Sequence, residues 1–490
     1  MTKLVENFPI SGDISANDRF MATDKAVKRI LILGGGFAGV QVLTKLQHAF
    51  ENDASIDITL VSSDNFFLFT PMLPEVAVGM IETRHIATPI RALCKKQTKF
   101  YEANIESVDL NSKQVVLTHA IGSKNASPTG WQSHRCNCHK IKYDYLILAL
   151  GSETTFFGNT GLANNALTIK SLDDAIIIRN HILSVLEQAD LEYENKELQK
   201  SLMTFVVVGG GFAGTETAGQ LNDFVHDSIK DYYHNIESKD ARIILVDAHE
   251  RILPEVSEDL AEFALQKLRE SGVEVMLNVR LSGATPESVK LDDDNVISSH
   301  TLIWGGGVKP DKLIANLPSC EHDKEGRIIV NHYLEVMGHN RVFALGDCAC
   351  VTDPNTGKPY PPMAQHGIRQ GELVARNLFS LINRRKGGDR GDVERAFFDS
   401  KVPIDYKPKM VMAQIGKRNC VGILLRFKVH GFTAWVLWRM YYLAKLPTKE
   451  KKLRVLLDWA TDIVLSKKRD MTRLNTFTET DEKKLENSQL

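Results

Sequence analysis

KRILILGGGFAGVQVLTKL (Lys28–Leu46) and MTFVVVGGGFAGTETAGQL (Met203–Leu221) are near-repeats within one chain. In each stretch, a continuous apolar run precedes three glycines, and a helical pattern follows the glycines directly. Such a run is typical of a parallel strand that is buried on both faces of its sheet. The two stretches therefore predict two strand–turn–helix units.

Further short apolar runs surround these two units and alternate with spacers of helix length, as in doubly wound sheets. They are IDITLV (56–61), YDYLILAL (143–150), ARIILVD (241–247), TLIWGG (301–306) and NRVFALGD (340–347). This pattern predicts an α/β fold of two Rossmann-like dinucleotide-binding domains, with the second domain inserted into the first.

The predicted domain organisation follows from the positions of the two units. The first domain occupies 26–160 and 315–400, and the inserted domain occupies 161–314. The composition changes after about residue 401, where a C-terminal amphipathic helical region is predicted for 401–470. The two ends, 1–25 and 471–490, are predicted to be a disordered leader and a disordered tail.

The composition is that of an ordinary globular protein, with 43% hydrophobic and 25% charged residues among 490. A formal net charge of −1 gives no global electrostatic reason to bind nucleic acid, so no nucleic-acid partner is expected. Seven scattered cysteines do not form a disulfide framework, which favours a reducing compartment. No run of about 18 apolar residues is present, so any membrane contact is expected to be peripheral.

The three glycines of the first unit match the GxGxxG fingerprint of dinucleotide-binding proteins. Gly34 permits the tight turn, Gly36 lets the backbone approach a pyrophosphate, and Gly39 allows the helix to pack closely on the strand. The helix N-terminus then favours the phosphates through free N–H groups and its dipole. The second unit repeats this pattern with Gly209, Gly211 and Gly214.

The two units differ in the residue at the end of the strand that follows each glycine loop. Asp247 follows the second loop, where a carboxylate can accept a hydrogen bond from the ribose 2′-OH and would repel the 2′-phosphate of NADPH. NADH is therefore the expected ligand, although a surface Asp at a strand end is the alternative interpretation. The first unit has Ser62 and Ser63 there, and a serine binds a ribose hydroxyl more weakly. We assign the first loop to FAD, because a hydride from NADH needs an acceptor.

Several segments together resemble the type II (alternative, single-subunit) NADH:quinone oxidoreductases of the two-dinucleotide-binding flavoprotein superfamily. The resemblance covers about 28–465, and the order and spacing of the segments make it specific. The segments are FLFTPMLPEVAVGMI (67–81), LILALGSETTFFG (146–158), IKSLDDAIIIRNHIL (169–183), GGGFAGTETAGQL (209–221), IWGGGVKP (303–310), VFALGDCA (342–349) and AQHGIRQG (364–371).

The resemblance implies non-covalent FAD and NADH as co-substrate. It implies that Asp347 contacts the ribityl and pyrophosphate region, and that Thr70, Pro71 and Gly151 lie near the isoalloxazine. Glu216 matches the family glutamate at the nicotinamide–flavin edge, although a carboxylate near a helix start is also an ordinary dipole-compensating residue. The expected FAD contacts are Gly34, Gly36, Ala38, Gly39, Ser62, Ser63, Thr70, Pro71, Gly151, Asp347 and Ala364. The expected NADH contacts are Gly209, Gly211, Phe212, Gly214, Glu216, Asp247 and Gly306.

The segment AQHGIRQG matches the family's quinone-side motif at Ala364 and Gln365, which places the glutamine by the flavin and the quinone ring. The sequence departs from the family at Arg369, where a second glutamine is usual. Gln370 is one residue late and would project elsewhere on a helix. Arg369 could stabilise oxyanion charge on a quinone or form a surface ion pair, and the sequence leaves both interpretations open.

Two groups of cysteines raise alternatives. Cys348 and Cys350 lie beside the second FAD motif, and sulfide:quinone reductases, the nearest rival function, use redox cysteines beside a flavin. That chemistry needs closely paired thiols, and it would leave the second loop and Asp247 without a purpose. His134, Cys136, Cys138 and His139 are cramped for a usual zinc site, so no metal is expected and an exposed loop is predicted for 121–140. Adventitious or structural metal binding by these four residues is the alternative.

The segment 402–470 contains fifteen Lys or Arg and five Asp or Glu, although the whole chain is nearly neutral. Two amphipathic stripes lie within it at helical spacing: Trp435, Trp438, Tyr442 and Leu446, then Leu453, Leu456, Leu457, Ala460, Ile463 and Val464. Basic flanks and interfacial aromatic residues favour an in-plane anchor on an anionic membrane through 434–470. The alternative is that the apolar stripes pack on the catalytic domain or form a homodimer. Both interpretations can hold, since one stripe can dimerise while the other inserts into the membrane.

Together these features predict hydride transfer from NADH to FAD followed by two-electron reduction of a membrane quinone. The predicted location is peripheral, on the cytoplasmic face of the membrane. The rival of the same class is a sulfide or other donor:quinone oxidoreductase. A regulatory flavoprotein that responds to NADH is the rival of another class.

Overall fold

The computed structural model describes residues 27–119, 138–383, 401–406, 410–464 and 471–474. The predicted leader, most of the predicted tail and most of the predicted loop 121–140 lie outside these ranges. His134 and Cys136 also lie outside them. Cys138 is exposed, and His139 begins a strand.

The elements of the first part of the chain run from a buried central strand to a short helix at residue 165. In chain order they are β1 (Lys28–Leu33), α1 (Phe37–Ala49), β2 (Ile56–Ser62), β3 (Phe66–Leu68), α2 (Leu73–Ala77), β4 (Ala87–Pro89), α3 (Ile90–Leu93), β5 (Thr98–Asp109), β6 (Gln114–His119), β7 (His139–Lys142), β8 (Tyr145–Leu148), β9 (Ser152–Thr154) and α4 (Thr160–Asn165).

The middle of the chain begins with a short strand and two helices and then repeats the strand–turn–helix unit. Its elements are β10 (Leu167–Thr168), α5 (Leu172–Leu191), α6 (Lys196–Leu202), β11 (Thr204–Val208), α7 (Phe212–Tyr232), β12 (Arg242–Val246), α8 (Glu258–Glu270), β13 (Glu274–Met276), β14 (Leu281–Thr285), β15 (Ser288–Leu291), β16 (Val296–Ser298), β17 (Thr301–Trp304), β18 (Val308–Pro310) and α9 (Lys312–Ala315).

The last part of the chain returns to the first sheet and ends in two helices. Its elements are β19 (Ile328–Ile329), β20 (Val342–Ala344), β21 (Ala349–Cys350), α10 (Ala364–Asn383), β22 (Met410–Gln414), β23 (Cys420–Leu424), β24 (Phe427–His430), α11 (Gly431–Lys445) and α12 (Lys449–Val464). Short 3₁₀ turns at Thr70–Met72 and Thr83–His85 connect elements of the first part.

Two sheets carry the fold. The larger has the strand order β20-β8-β1-β2-β5-β6-β7, and the smaller has the order β10-β17-β11-β12-β13 with every pair parallel. β20 follows the smaller sheet in the chain yet pairs in parallel with β8 of the larger one. The predicted Rossmann-like α/β fold is therefore present, and the topology agrees with an inserted second domain. The exact domain boundaries stay predictions.

The apolar runs of the two repeats form the centres of these sheets because both faces of each strand are covered. Four residues of β1, from Ile30 to Leu33, are at most 1% exposed, and all five residues of β11 are buried. α1 packs against α10 on one face of the larger sheet. The loops that follow β1 and β11 thus leave rigid strands and enter rigid helices.

The C-terminal segment forms an antiparallel sheet, β22-β23-β24, followed by the two predicted helices. α11 packs on β23, and its indoles at Trp435 and Trp438 are 5% and 1% exposed. The expectation that these indoles sit at a membrane surface is therefore wrong: the first aromatic stripe belongs to the core. Among the described residues, no helix is both long and apolar enough to cross a membrane.

α12 places its second stripe differently. Val455 and Trp459 are buried, whereas Leu453, Leu456 and Leu457 are 58%, 47% and 54% exposed. The side chains of Ile463 and Val464 lie outside the described part of the chain. The two helices therefore differ: one apolar face is covered by the protein, and the other is open.

Candidate active site

The two glycine loops have the same local geometry. Gly34 and Gly209 follow their strands with φ of 111° and 105°, values that side-chain-bearing residues rarely adopt. An added Cβ at Gly39 or Gly214 would lie 1.9 Å from the carbonyl oxygen of the first glycine of its own loop. These positions fix a tight turn and a close strand–helix approach, as the fingerprint predicts.

The middle glycines of the two loops face open space. No atom lies within 4 Å of the position that a Cβ would take at Gly36 or Gly211. Both residues line one cavity of about 690 Å³. The loops therefore leave room for a phosphate group beside the N-termini of α1 and α7, which fits a dinucleotide at each loop.

The strand ends that follow the loops are structurally equivalent. Leu33 pairs with Val61 and Val208 pairs with Val246, so Ser62 and Asp247 each lie one residue beyond the pair. Asp247 is 8% exposed, and its carboxylate accepts the N–H of Gly210 and, at 2.7 and 2.8 Å, the N–H and Nδ1 of His249. The spacing between loop and acid is long because α7 has 21 residues, whereas α1 has 13.

The cavity gathers most of the side chains and loops that the sequence selected. From the FAD and quinone sets it is lined by Gly36, Ala38, Thr70, Pro71, Gly151, Asp347, Ala364 and Gln365, and from the NADH set by Gly211, Phe212 and Glu216. Residues from both repeats thus meet at one place. Such a cavity can hold two ligands whose reacting ends touch.

Other selected residues do not line this cavity: Gly34, Gly39, Ser62, Ser63, Gly209, Gly214, Asp247, Gly306 and Arg369. Gly306 packs on the ring of Trp304, and its neighbours Gly305 and Gly307 line the cavity instead. Ser62 is buried against Gly35 of the first loop, whereas Ser63 is exposed. The fingerprint glycines among them, Gly34, Gly39, Gly209 and Gly214, determine the backbone geometry of the loops without lining the cavity.

Glu216 is the buried carboxylate of the cavity. It lies in the second turn of α7, is 8% exposed, and accepts the backbone N–H of Gln414 at 2.9 Å. Burial, and next to it the charge of Glu75, raises the pKa of Glu216 to about 8 against the lowering effect of the Gln414 bond. Glu216 therefore holds a proton at neutral pH and can donate it.

A polar chain that the sequence interpretation missed lies beside Asp347. Lys170 donates from Nζ to Ser152 Oγ at 2.7 Å, and Ser152 Oγ donates to Asp347 Oδ2 at 2.7 Å. Burial lowers the pKa of Lys170, although the charges of Asp347, Asp174 and Glu153 oppose that shift. Lys170 is the second residue of the matched segment IKSLDDAIIIRNHIL, but no spacing rule connects it with Asp347.

The quinone-side motif forms the first turns of α10. Gln365 lines the cavity, with its Nε2 3.8 Å from the sulfur of Met363. Gln370 does project elsewhere, since its Oε1 accepts the N–H of Gly346 at 2.6 Å. Arg369 pairs with Glu372 at 3.0 Å and is 41% exposed. This geometry favours the surface ion pair over a contact with quinone.

The cysteines next to the second FAD motif do not lie on the cavity. Cys348 is fully buried, and its Sγ donates to the carbonyl oxygen of Leu345 at 3.3 Å. Burial raises the pKa of the Cys348 thiol to about 11, and burial also raises that of Cys350. Neither thiol is poised as a thiolate nucleophile, which such redox chemistry requires.

The C-terminal segment forms part of the cavity wall, which agrees with the alternative that its first apolar stripe packs on the catalytic domain. Met410 and Met412 of β22 line it, together with Tyr441, Tyr442 and Lys445 of α11. Tyr442 also contacts Phe69 edge-on, with ring centroids 5.8 Å apart. The helix expected to serve as an anchor is therefore a wall of the site.

This geometry defines a class: an α/β protein whose two dinucleotide-type loops open into one shared cavity. Residues 28–371 match the model of the pyridine nucleotide-disulphide oxidoreductase family, and the chain belongs to that family. A probable NADH dehydrogenase of Dictyostelium discoideum is 30% identical over 443 residues, covering 90% of each chain. A type II NADH:quinone oxidoreductase of Mycobacterium tuberculosis is 30% identical over 453 residues, 91% of this chain and 90% of that protein. The predicted family resemblance is confirmed.

Solved structures show the same fold. NDH2 from Plasmodium falciparum, solved in complex with NADH, superimposes with a TM-score of 0.78 at 20% identity, covering 91% of this chain and 99% of that one. A sulfide:quinone oxidoreductase from Aquifex aeolicus has a TM-score of 0.62 at 16% identity, covering 90% and 96%. At these identities the likeness concerns the fold alone.

Proposed function

We propose that the protein oxidises NADH and reduces a quinone through a bound FAD, with the balance NADH + H⁺ + quinone → NAD⁺ + quinol. One observation carries the proposal: Gly36 of the first loop, Gly211 of the second loop and Gln365 line a single cavity. The two relatives described above carry NADH dehydrogenase and type II NADH:quinone oxidoreductase names, which supports the same reaction.

In this proposal the first loop holds FAD and the second holds NADH. Gly36 and the N-terminus of α1 receive the FAD pyrophosphate, and Asp347, ordered by Ser152, faces the same cofactor. FAD, when bound, supplies the capacity to accept a hydride and pass on two electrons. Gly211 and the N-terminus of α7 receive NADH, and Asp247 selects against a 2′-phosphate.

Two side chains of the cavity then act on the reacting ends. Glu216, protonated at neutral pH, holds a proton in a place that bulk water does not reach freely. Gln365 can donate from its amide to a quinone carbonyl oxygen, where negative charge develops on reduction. Tyr441 and Tyr442 line the same cavity.

An anaerobic titration tests the reaction. The purified protein is mixed with NADH, NADPH or sulfide while the flavin absorbance is followed, and a soluble quinone is then added. We expect rapid bleaching with NADH and recovery with quinone. Bleaching by sulfide instead would assign the rival donor, and slow recovery with every acceptor would assign a regulatory role.

Loop variants test which ligand each loop holds. Gly36→Val fills the open space of the first loop and is expected to lower the FAD content of the purified protein at least about tenfold. Gly211→Val is the matched change in the second loop. It is expected to leave FAD bound while raising the NADH concentration for half-maximal bleaching at least about tenfold. The opposite assignment of loops would exchange the two results.

We also infer that α12 binds an anionic membrane surface through Leu453, Leu456 and Leu457, with Lys449 and Lys452 on the same helix. The substitution of all three leucines by serine is expected to abolish pelleting with anionic liposomes while FAD remains bound. Unchanged pelleting would exclude this membrane contact, and a change from dimer to monomer by light scattering would show instead that this face pairs two copies. The location on the cytoplasmic face stays a prediction.

A further inference from the structure

Three helices from distant parts of the chain meet behind the cavity and bring charged side chains together. α2 contributes Glu75, α7 contributes Glu216, and α11 contributes Arg439. These residues are 2%, 8% and 6% exposed. Only Glu216 of the three lines the cavity, so the other two lie behind it.

Arg439 is held in this place by charge and by aromatic faces. Its Nη2 lies 3.9 Å from Glu75 Oε1. Its guanidinium carbon lies 4.0 Å from the ring centre of Trp435 and 4.8 Å from that of Trp459. A cation between two indoles loses less on burial than a bare one, because the ring faces are electronegative. The cation therefore stays charged away from water.

Glu75 connects this cation with the cavity. Its charge acts on Glu216 and is among the causes that raise the pKa of the Glu216 carboxyl, after burial. Two carboxylates in one low-dielectric region disfavour each other's ionisation, and a nearby cation reduces that effect. Because α2 also packs on α7, the helix of Glu216, a cation beside Glu75 can act on the proton of Glu216 through Glu75.

Two groups whose own pKa is affected by Glu216 carry no charge. Cys420 of β23 is buried and Tyr442 of α11 is partly buried, and desolvation raises the pKa of each well above its usual value, with Glu216 as a further cause. Both therefore stay neutral at physiological pH. The Trp438 indole of α11 opposes the upward shift of the Glu216 pKa, and β22 contributes the backbone N–H of Gln414.

One further cation lies near the outer end of α2. The guanidinium carbon of Arg179, from α5, is 3.1 Å from the position that a Cβ would occupy at Gly79. α2 also packs on α5. Neither Arg179 nor Arg439 is itself among the groups that shift the pKa of Glu216, whereas Glu75 is, and Arg439 is the cation that lies 3.9 Å from the Glu75 carboxylate. The pair formed by Glu75 and Arg439 is therefore the charged neighbour to vary.

We propose that Glu75 and Arg439 are positioning residues that set whether Glu216 carries its proton, so that the C-terminal helix α11 controls the charge state of the redox cavity. The inference rests on the proposed function, in which Glu216 faces the reacting ends. It gives α11 a task beyond covering the cavity. An ion pair that only fastens α11 to α2 would leave the proton on Glu216 unaffected.

The test is a pH titration of the Glu216 carboxyl in the full-length protein with its cofactor bound. Infrared spectroscopy follows the protonated carboxyl band, which is assigned as the band that disappears in Glu216→Gln. Glu75→Gln removes a negative neighbour and leaves Arg439, so the midpoint is expected to fall by about one pH unit or more. Arg439→Met removes the cation that lies 3.9 Å from Glu75, so the midpoint is expected to rise.

The double variant Glu75→Gln/Arg439→Met removes both charges and is expected to return the midpoint close to that of the parent protein. Met440→Gln is the matched control on α11, because Met440 is 63% exposed, and it should leave the midpoint unchanged. Where one single variant fails to retain its cofactor, the direction of the other decides. Unshifted midpoints in the single variants, or single variants that both fail to fold while the double variant folds, would overturn the proposal in favour of a fastening role.

This readout does not depend on turnover. If the midpoints shift as expected but NADH fails to bleach the flavin, the proposed reaction is wrong while the control of Glu216 stands. If NADH and quinone behave as proposed but the midpoints do not shift, the reaction stands and the control of Glu216 is wrong. The two failures are thus distinguishable.

Discussion

The two strand–turn–helix units share the loop sequence GGGFAG, yet they differ at two equivalent positions. Gln41 of the first unit corresponds to Glu216 of the second, and Ser62 corresponds to Asp247. Gln41 is half-buried and donates from Nε2 to Glu372 at 3.1 Å, whereas Glu216 is buried and lines the cavity. The two loops therefore have the same backbone geometry, and the side chains at these two positions distinguish the units.

The strand ends extend this comparison. Asp247 accepts the N–H of Gly210 and so fastens the second loop with a charged group, whereas Ser62 only packs against Gly35. A carboxylate at this edge discriminates between ribose and phosphate, but a buried serine does not. In the proposed function, Asp247 therefore gives the second unit its selectivity, and the first unit would rely on residues such as Asp347 from elsewhere in the chain.

The largest expected effect comes from the glycines where the helix meets the loop. Gly39→Ala and Gly214→Ala each place a methyl group 1.9 Å from a carbonyl oxygen, so each should destabilise its own unit by roughly 3 kcal/mol. Thermal unfolding and FAD content measure this effect. Gly39→Ala should lose FAD, whereas Gly214→Ala should keep FAD and lose bleaching by NADH. The controls Gly36→Ala and Gly211→Ala meet no atom within 4 Å and should keep the melting temperature.

An effect that is smaller per pH unit concerns the aligned pair Gln41 and Glu216. The pKa of Glu216 is raised to about 8 in the folded protein, against an ordinary value of 4.5, so the folded state binds the proton more tightly. Its contribution to stability is therefore lost as the pH rises from about 4.5 to 8. Glu216→Gln should flatten this fall, which is at most about 1.4 kcal/mol per pH unit.

Melting temperatures measured at several pH values check this prediction. Gln41→Ala is the matched change in the first unit, and it should alter the pH profile little because it neither adds nor removes an ionisable group, although it removes the hydrogen bond to Glu372. A profile for Glu216→Gln that is parallel to that of the parent protein would show that this carboxyl is already ionised at neutral pH.

The smallest expected effect concerns the strand ends. Asp247→Ser gives the second unit the residue of the first, so the preference for NADH over NADPH should fall about tenfold. The ratio of kcat/KM for the two substrates measures it. Ser62→Ala in the first unit is the control and should leave that ratio unchanged. An unchanged ratio in Asp247→Ser would show that another residue determines the preference for NADH.

The site was partly accessible from the sequence. Gly36 was selected by the glycine fingerprint, and Gly211, Glu216, Asp347 and Gln365 by segments whose order and spacing identify the family. The structure brings all five onto one cavity. The sequence did not decide the role of Arg369, because the direction of this side chain depends on its ion pair with Glu372 on the same helix. The polar chain from Lys170 to Asp347 was also out of reach, because it joins residues with no common periodicity.

The sequence by itself determined the two sheets, their central strands and the position of both loops. These features are local: an apolar run, three glycines and a helical pattern are adjacent in the chain, and each acts within a few residues of itself. Only the tertiary structure decided which apolar stripe of the tail is covered, and that α11 brings Arg439 behind Glu75 and Glu216. Amphipathic periodicity states that a helix has an apolar face, but the surface that covers this face is set by elements far away in the chain.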